Sequence, residues 1–429
     1  MNFFTFSPGK LRNERLVSFF NILIAIICIT YLFSEVYYII KLTSIHKTDM
    51  SLYFRTSSNI LHGQIPFKDF RLEYPIFAIF PIMIPAFLNL LFGSSFESYC
   101  ILFSLQNIGF GIIAAIFLGK TSIGESNRST IKPMYWVLIV VSLPIYLFRY
   151  DAFLALLTAL FVYLMLNRPF LAGLVLMLAI EAKLYPIIFL PVLVLFYITR
   201  LEYRTLFKFM IGTGLTLLTT LVVVLPITGL SFFDFIRYHQ DRGIQLESIV
   251  AGFLMLLNQF DLIDIRLANG YGSFNIDTNY SSLILQTISL VTPVIFVLLL
   301  LFLGRGFMSE QRSYGSVRPI MLIRAFGAIT LIFLLLNKVL SPQYVIWLFP
   351  FIPFYENRIR IKFIIIVMLT ISIYPGWYHY LQSFHPIGVI MVNLRTVLMI
   401  WMLVDLLKFF ALTNIQKNRK LSETTGLRG

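Results

Sequence analysis

Long apolar runs recur along almost the whole chain, and several reach the length that a bilayer demands. Val17–Ile40, Leu206–Pro226, Ser281–Leu303 and Ile387–Leu412 are each largely apolar, and a crossing α-helix needs about 20 such residues. A soluble fold has no interior for them: hydrophobic residues make up 58% of the 429 positions, and 43 residues are Phe. The expected fold class is therefore an all-α polytopic membrane protein, forming a single integral-membrane domain over residues 1–429. Val17–Ile40 is too long for the apolar core of a signal peptide and reads as a retained helix. Cys28 and Cys100 both lie in apolar runs, giving no disulfide framework and no metal-ligand spacing. The net charge of +14 does not call for nucleic acid, because Lys and Arg in such a chain mark cytoplasmic loops. No repeat of 20–50 residues and no low-complexity segment is present.

The apolar pattern predicts helices near Leu16–Ile40, Tyr99–Leu118, Met134–Phe148, Ala152–Leu166, Phe170–Glu181 and Leu184–Ile198. Further ones are expected at Leu206–Pro226, Ser281–Leu303, Ile320–Leu336, Tyr344–Phe354, Ile361–Tyr378 and Ile387–Leu412. Basic turns at Lys120/Arg128/Lys132, Arg168, Arg200/Arg204/Lys208, Arg305/Arg312/Arg318 and Arg358/Arg360/Lys362, and the basic tail, read as cytoplasmic. The stretch Thr228–Tyr280 holds six acids and three Arg, and reads as a long outer loop. These signs agree only if Pro75–Phe92, punctuated by Pro75, Pro81 and Pro85, does not cross completely. It is expected to be interfacial or re-entrant, leaving twelve full crossings and both termini in the cytoplasm. Broken backbone at membrane depth must be covered by protein or line a wet cavity, which suits a site.

The densest polar stretch is His46–Pro75, following the first apolar run, with Asp49, Arg55, His62, Lys68, Asp69, Arg71 and Glu73. Under this topology it shares the outer face with Arg149-Tyr150-Asp151, Lys183, the stretch Tyr238–Ser248, and Lys338 to Gln343. Separate segments thus bring polar groups to one face, as a composite site would. Outer loops 41–75 and 228–280 are the expected main contributors.

Asp49 suits a general base that takes a proton from a substrate hydroxyl. It equally suits an N-cap opening a helix at Met50–Leu61. Glu73 is a candidate to orient the acceptor or Lys68, or a partner for Arg71. Lys183 stands between apolar runs, where an unpaired charge is costly; a donor phosphate, snorkelling, or pairing with Glu181 or Asp151 would each satisfy it. Arg242 and His239 are further phosphate candidates, Arg through its forked donors, or partners of Asp241 and Glu247. Lys338 and Gln343 flank Pro342 at a helix mouth. Arg149 and Asp151 are adjacent and are either site residues or mutual counter-charges.

This ordered series resembles the GT-C superfamily, and within it the family 87 polyprenyl-phosphate-sugar-dependent glycosyltransferases and their mannosyltransferase relatives. The matching pieces are Asp49 with Tyr53, Gly63-Gln64-Ile65-Pro66-Phe67-Lys68-Asp69, Glu73-Tyr74-Pro75, Arg149-Tyr150-Asp151 and Ala172-Gly173. Lys183-Leu184-Tyr185-Pro186, His239 with Arg242 to Ser248, and Leu340 to Tyr344 before Trp347 complete them. The resemblance implies a GT-C-like bundle of about 12–13 transmembrane helices in a bacterial or archaeal plasma membrane, with the site facing outside. It implies transfer of a hexose, mannose being favoured, from a polyprenyl-phosphate-sugar donor to a glycan, lipid or protein acceptor. The implied catalytic residues are Asp49 and Glu73, and the donor phosphate falls to Lys183, His239, Arg242 and Lys338. Substrate contacts fall to Tyr74, Arg149, Asp151, Gln245, Glu247 and Gln343. Related mannosyltransferases often carry Asp-X-Asp in the first loop, whereas Ser51 stands at the second position here, so no metal is implied.

Chemistry independent of the resemblance points the same way. The chain has no Walker-type loop and no Gly-x-Gly-x-x-Gly, so nucleotide binding lacks support. A lipid-phosphate donor needs only lateral entry and cations at headgroup level. A polysaccharide polymerase is the closest rival reading, because it too would carry a large outer loop with Arg and His. A lipid-linked glycan transporter or flippase would show matched halves and mid-depth charges. An acyltransferase would favour a His inside a helix.

Overall fold

In the computed structural model, residues 44–121, 123 and 128–425 are described. The expected first helix, Leu16–Ile40, and Cys28 lie outside them. In chain order the helices are α1 (Ser44–Leu61), α2 (Ile79–Asn89), α3 (Phe96–Lys120), α4 (Arg128–Val141), α5 (Leu143–Phe148), α6 (Asp151–Leu164), α7 (Pro169–Ala182) and α8 (Phe189–Thr199). Then come α9 (Tyr203–Thr228), α10 (Asp234–Gln240), strand β1 (Ile244–Gln245), α11 (Ile249–Asn258), β2 (Arg266–Gly270) and β3 (Ser273–Asp277). The chain continues with α12 (Ser281–Tyr314), α13 (Pro319–Leu336), α14 (Asn357–Ile371), α15 (Tyr378–Gln382) and α16 (Pro386–Thr425). Among the described residues, six helical stretches are long and apolar enough to cross a membrane: Phe96–Lys120, Tyr203–Gln240, Ser281–Tyr314, Pro319–Leu336, Asn357–Gly376 and Pro386–Ala411. Six shorter apolar helices of 10–17 residues accompany them. This is the all-α membrane architecture expected from the apolar runs.

The segment after Pro75 shows how proline-broken backbone is kept satisfied. It folds as a 3-10 turn, α2 and a second 3-10 turn, and then reverses at Gly93 (φ +83°) into α3. Pro85 lacks an N–H, so the carbonyl of Pro81 loses its partner within the helix. Gln106 of α3 donates to that carbonyl at 2.9 Å, and the Tyr99 hydroxyl donates to the Ile82 carbonyl at 3.1 Å. In α7 and α9, Gly173 and Gly212 allow the two backbones to touch. A Cβ on either would sit 2.1 Å from a carbonyl oxygen of the other helix, the small-residue packing that membrane helices favour.

Two expectations need correction. Tyr344–Phe354 is not an α-helix but two 3-10 turns, Pro342–Leu348 and Ile352–Phe354. Pro342, Pro350 and Pro353 remove backbone donors at short intervals. The segment is tolerated because protein covers it: Val345–Phe349, Phe351 and Ile352 are all buried. Thr228–Tyr280 is not an open loop. It carries α10, the half-buried helix α11 and a three-stranded antiparallel sheet in the order β1-β3-β2. α11 has its own small core with α16 through Leu254, Met255, Val389 and Val392.

Charge divides the two ends of the bundle. α8 follows Lys183 across a 3-10 turn and has Arg200 just past its end, while α13 follows Arg318 and ends two residues before Lys338. The Arg200–Glu202, Arg318–Glu310, Arg324–Glu356 and Lys362–Asp405 pairs therefore occupy the end opposite Lys183 and Lys338.

Candidate functional site

A cavity of about 660 Å³ opens at the end that holds Lys183. Its lining comes from the start of α1, the 62–75 loop, the α5–α6 break, the end of α7, the α10–β1 segment, the β2–β3 turn, the 341–344 turn and the 374–382 segment. Eleven of the twelve candidate residues line it: Asp49, Glu73, Tyr74, Arg149, Asp151, Lys183, His239, Arg242, Gln245, Glu247 and Gln343. Lys338 borders it. Its ammonium donates to the Gln240 carbonyl at 2.6 Å and its own carbonyl accepts from the Gln245 N–H at 2.9 Å.

The α5–α6 break is fixed by a single amide. The Asn107 Nδ2 of α3 donates to the carbonyls of Tyr146, Leu147 and Arg149, all at 3.0–3.1 Å. The break aims Arg149 toward α1, where its guanidinium meets Asp49 at 2.7 Å and donates to the Tyr374 hydroxyl at 3.1 Å. α1 begins at Ser44, so Asp49 lies within the helix and does not cap it. Tyr53, one turn on, stacks on Phe103 and edges against Tyr150.

Asp151, the first residue of α6, is 1% exposed. Its Oδ1 accepts from Lys183 Nζ at 2.8 Å and from Trp347 Nε1 at 2.6 Å, while Oδ2 has no hydrogen-bond partner. Of the three options open to Lys183, pairing with Asp151 is the one realised. The ammonium also lies 5.0–5.2 Å from the ring centres of Tyr150, Tyr344 and Trp347, within cation–π range. Trp347 is sandwiched between Tyr185 and Tyr344, at 3.9 and 4.0 Å. Glu181 instead accepts from the Thr220 hydroxyl at 2.8 Å.

The facing wall carries Arg242, His239 and Glu73. Arg242 makes no ion pair with Asp241 or Glu247. It donates to Ser273 Oγ at 3.1 Å, and its buried Nε has no hydrogen-bond partner. Burial raises the pKa of Glu73, against the opposing pull of the Tyr238 hydroxyl and Arg242. Tyr238 itself donates to the Tyr271 carbonyl at 2.9 Å. Burial lowers the pKa of Lys338, helped by the nearby charge of Arg242. Asp69 is occupied within its own turn, accepting from the Ile65 N–H at 2.7 Å.

Glu247 is fully buried, and its partner is a residue that sequence reasoning missed. Arg395 of α16 meets its carboxylate at 3.0 Å and its main-chain carbonyl at 2.6 Å. Arg395 is the lone charge between Pro386 and Val404, and a charge inside an apolar helix is the signal that would have found it. Tyr374, Tyr378, Asn269 and Tyr271 also line the cavity unforeseen. Among the described residues no three His, Cys, Asp or Glu side chains converge as a metal site.

The model of glycosyltransferase family 87 matches residues 72–323. GPI mannosyltransferase 1 of Debaryomyces hansenii is 24% identical over 323 residues, covering 69% of this chain and 72% of the relative. No solved structure matches.

Proposed function

The chain belongs to glycosyltransferase family 87, a membrane glycosyltransferase by its helices, and we propose that its cavity moves a mannosyl unit from a polyprenyl-phosphate donor to an acceptor hydroxyl. The observation that carries this reading is the cavity itself. It gathers four carboxylates and an arginine with a spare donor in one space, beside helices long enough to cross a bilayer. Mannose is favoured by the yeast relative, whose name is that of a mannosyltransferase.

Each step follows from a group at hand. The acceptor oxygen attacks the anomeric carbon as the bond to the phosphate oxygen breaks on the opposite face, giving inversion. Asp49 takes the hydroxyl proton, and Glu73 orients the acceptor. The departing polyprenyl phosphate carries the electron pair of the broken bond. Arg242, with His239 and Lys338 beside it, stabilises that growing charge where water is scarce. Lys183 already neutralises Asp151 and adds its field from across the cavity. Tyr74, Gln245 and Gln343 contact the sugar and the acceptor, while Arg149 holds Asp49 in place.

The decisive experiment is transfer from a panel of radiolabelled polyprenyl-phosphate sugars by purified protein in nanodiscs. Turnover of the mannose donor is expected; turnover of none overturns the reading. Arg242→Ala should raise KM for the donor at least tenfold with only a small fall in melting temperature, since the losses are one hydrogen bond to Ser273 and the charge that favours ionised Glu73. Donor kinetics like those of the wild type would assign Arg242 to structure alone.

Orientation is part of the proposal. The cavity faces outside and the Arg-rich end faces the cytoplasm. Cysteine labelling should find Lys68 and Asn269 reactive from outside, and Ser126, Glu310 and the tail reactive only after permeabilisation. Outside labelling of Ser126 would mean that Pro75–Phe92 crosses fully.

A further inference from the structure

Helix α11 runs antiparallel along the first turns of α16, and three hydrogen bonds set the register. Arg395 meets Glu247, just before α11, at 3.0 Å. The Asn393 amide donates to the Gly252 carbonyl at 2.9 Å. Gln259, just past the helix, donates to the Phe384 carbonyl at 2.8 Å. The backbones come closest at Gly252, where a Cβ would lie 3.0 Å from Val392. On this side Ala251, Leu254 and Met255 share a buried core with Val389 and Val392.

α16 crosses the membrane. Pro386–Ala411 is 26 residues of apolar sequence, about 39 Å at 1.5 Å per residue. A bilayer offers about 30 Å of hydrocarbon and about 40–45 Å with its headgroups. Arg395 stands nine residues beyond Pro386, about 14 Å along the helix. The stretch of α16 that α11 follows therefore lies in the leaflet at the cavity end.

The other side of α11 is bare among the described residues. Phe253 is 54% exposed and Leu256 37%, and Phe260, in the turn after the helix, is 68% exposed. Their spacing of three, then four, puts them on one face. The turn itself is tightly bonded. The Leu262 N–H donates to the Leu257 carbonyl at 3.1 Å, and the Asn258 amide to the Ile263 carbonyl at 2.9 Å. A contiguous apolar face of this kind marks a covered surface. Polarity follows the same axis. Ile249 to Leu257 carries no polar side chain, while Asn258, Gln259, Asp261 and Asp264 follow. The apolar end is the deep one, and the polar end is level with the start of α16. The deep end is also closed as membrane depth requires, since the Ser248 hydroxyl accepts from the Ala251 N–H at 3.1 Å.

We propose that α11 is a half-depth helix inserted beside α16 in the leaflet at the cavity end, with Phe253 and Leu256 against lipid acyl chains. The occupant follows from the neighbour: over the same stretch α16 leaves Ile387, Ile390 and Leu394 exposed, as a crossing helix does toward lipid. Gln245 to Glu247, which lead into α11, carry one wall of the cavity below headgroup level. The proposal concerns lipid contact and assumes nothing about the reaction.

Nitroxide labels at Phe253→Cys, Leu256→Cys and Phe260→Cys, one at a time on the full chain in nanodiscs, test it. EPR power saturation compares collisions with oxygen, which partitions into lipid, and with a water-soluble nickel chelate. Ile390→Cys is the lipid reference, Lys68→Cys the water reference, and the labelled wild type the blank for Cys28 and Cys100. The three α11 positions are exposed, so wild-type melting temperatures are expected. Oxygen collisions should dominate at 253 and 256, as at 390, with depth falling in the order 253, 256, 260. Nickel-dominated collisions at 253 and 256 would put this face in water and overturn the insertion. Loss of both kinds of collision would mean protein cover, by a second copy or another chain, and would overturn the lipid contact. Equal depth at all three positions would lay the helix flat in the interface and overturn the half-depth geometry. No readout requires turnover, so failure of the glycosyltransferase reading shows separately in the transfer panel.

Discussion

Asp49→Asn should lose about 10²–10⁴-fold in transfer rate, the usual cost of removing a general base. The substitution keeps size and shape and takes away only the charge and the ability to hold a proton. It is not silent structurally. Arg149 is 5% exposed and loses its counter-charge, keeping the Tyr374 hydroxyl at 3.1 Å. Asp49 is 31% exposed, so water makes up part of that loss. A modest drop in melting temperature is therefore expected beside the kinetic loss. Arg149→Gln separates the two effects, because it breaks the same pair and leaves the carboxylate in place. If Asp49 serves only to hold Arg149, both variants lose activity and stability in parallel. If Asp49 is the base, Asp49→Asn falls far below Arg149→Gln in kcat at similar stability. A near wild-type kcat for Asp49→Asn would pass the role to Glu73, whose burial-raised pKa brings it closer to the working range of a base.

The pairing also shows what sequence can and cannot carry. Helix positions were readable wherever an apolar run was long, as in α12, which continues through a single Pro293, and α13. Tyr344–Phe354 was just as apolar, but three prolines outweighed its pattern. The sheet between α10 and α12 was invisible, because its strands are two to five residues long and show no steady alternation. Eleven cavity residues were legible because each is a polar group interrupting apolar sequence or following a helix end. Who pairs with whom was not legible. Lys183 and Asp151 are 32 residues apart, and Glu247 and Arg395 are 148 apart, so only the packed fold selects among the cations in reach. The N-cap alternative for Asp49 failed for a local reason. α1 already runs at Ser44, so Asp49 lies inside the helix rather than in front of its first turn.

Lys183→Ala is expected to destabilise the fold more than any other single change in the cavity. It strips the cation from a carboxylate that is 1% exposed and leaves only the Trp347 N–H to satisfy it. Removing one member of a buried pair costs about 3–5 kcal/mol, and the loss of three cation–π contacts adds to it. Thermal unfolding in detergent should show a large downward shift and a low yield of folded protein. The activity of that variant alone would therefore be uninformative about phosphate binding. Lys183→Ala combined with Asp151→Asn removes both charges at once. The amide can still accept from Trp347, and most of the stability should return. Donor kinetics of this double variant then isolate the electrostatic contribution of Lys183. A raised KM for the polyprenyl-phosphate donor at restored stability assigns Lys183 a part in holding phosphate. A KM equal to that of the wild type assigns it to Asp151 alone. Should Lys183→Ala melt with the wild type, the pair would contribute nothing to the fold, and the charge-matching account of this wall would fail.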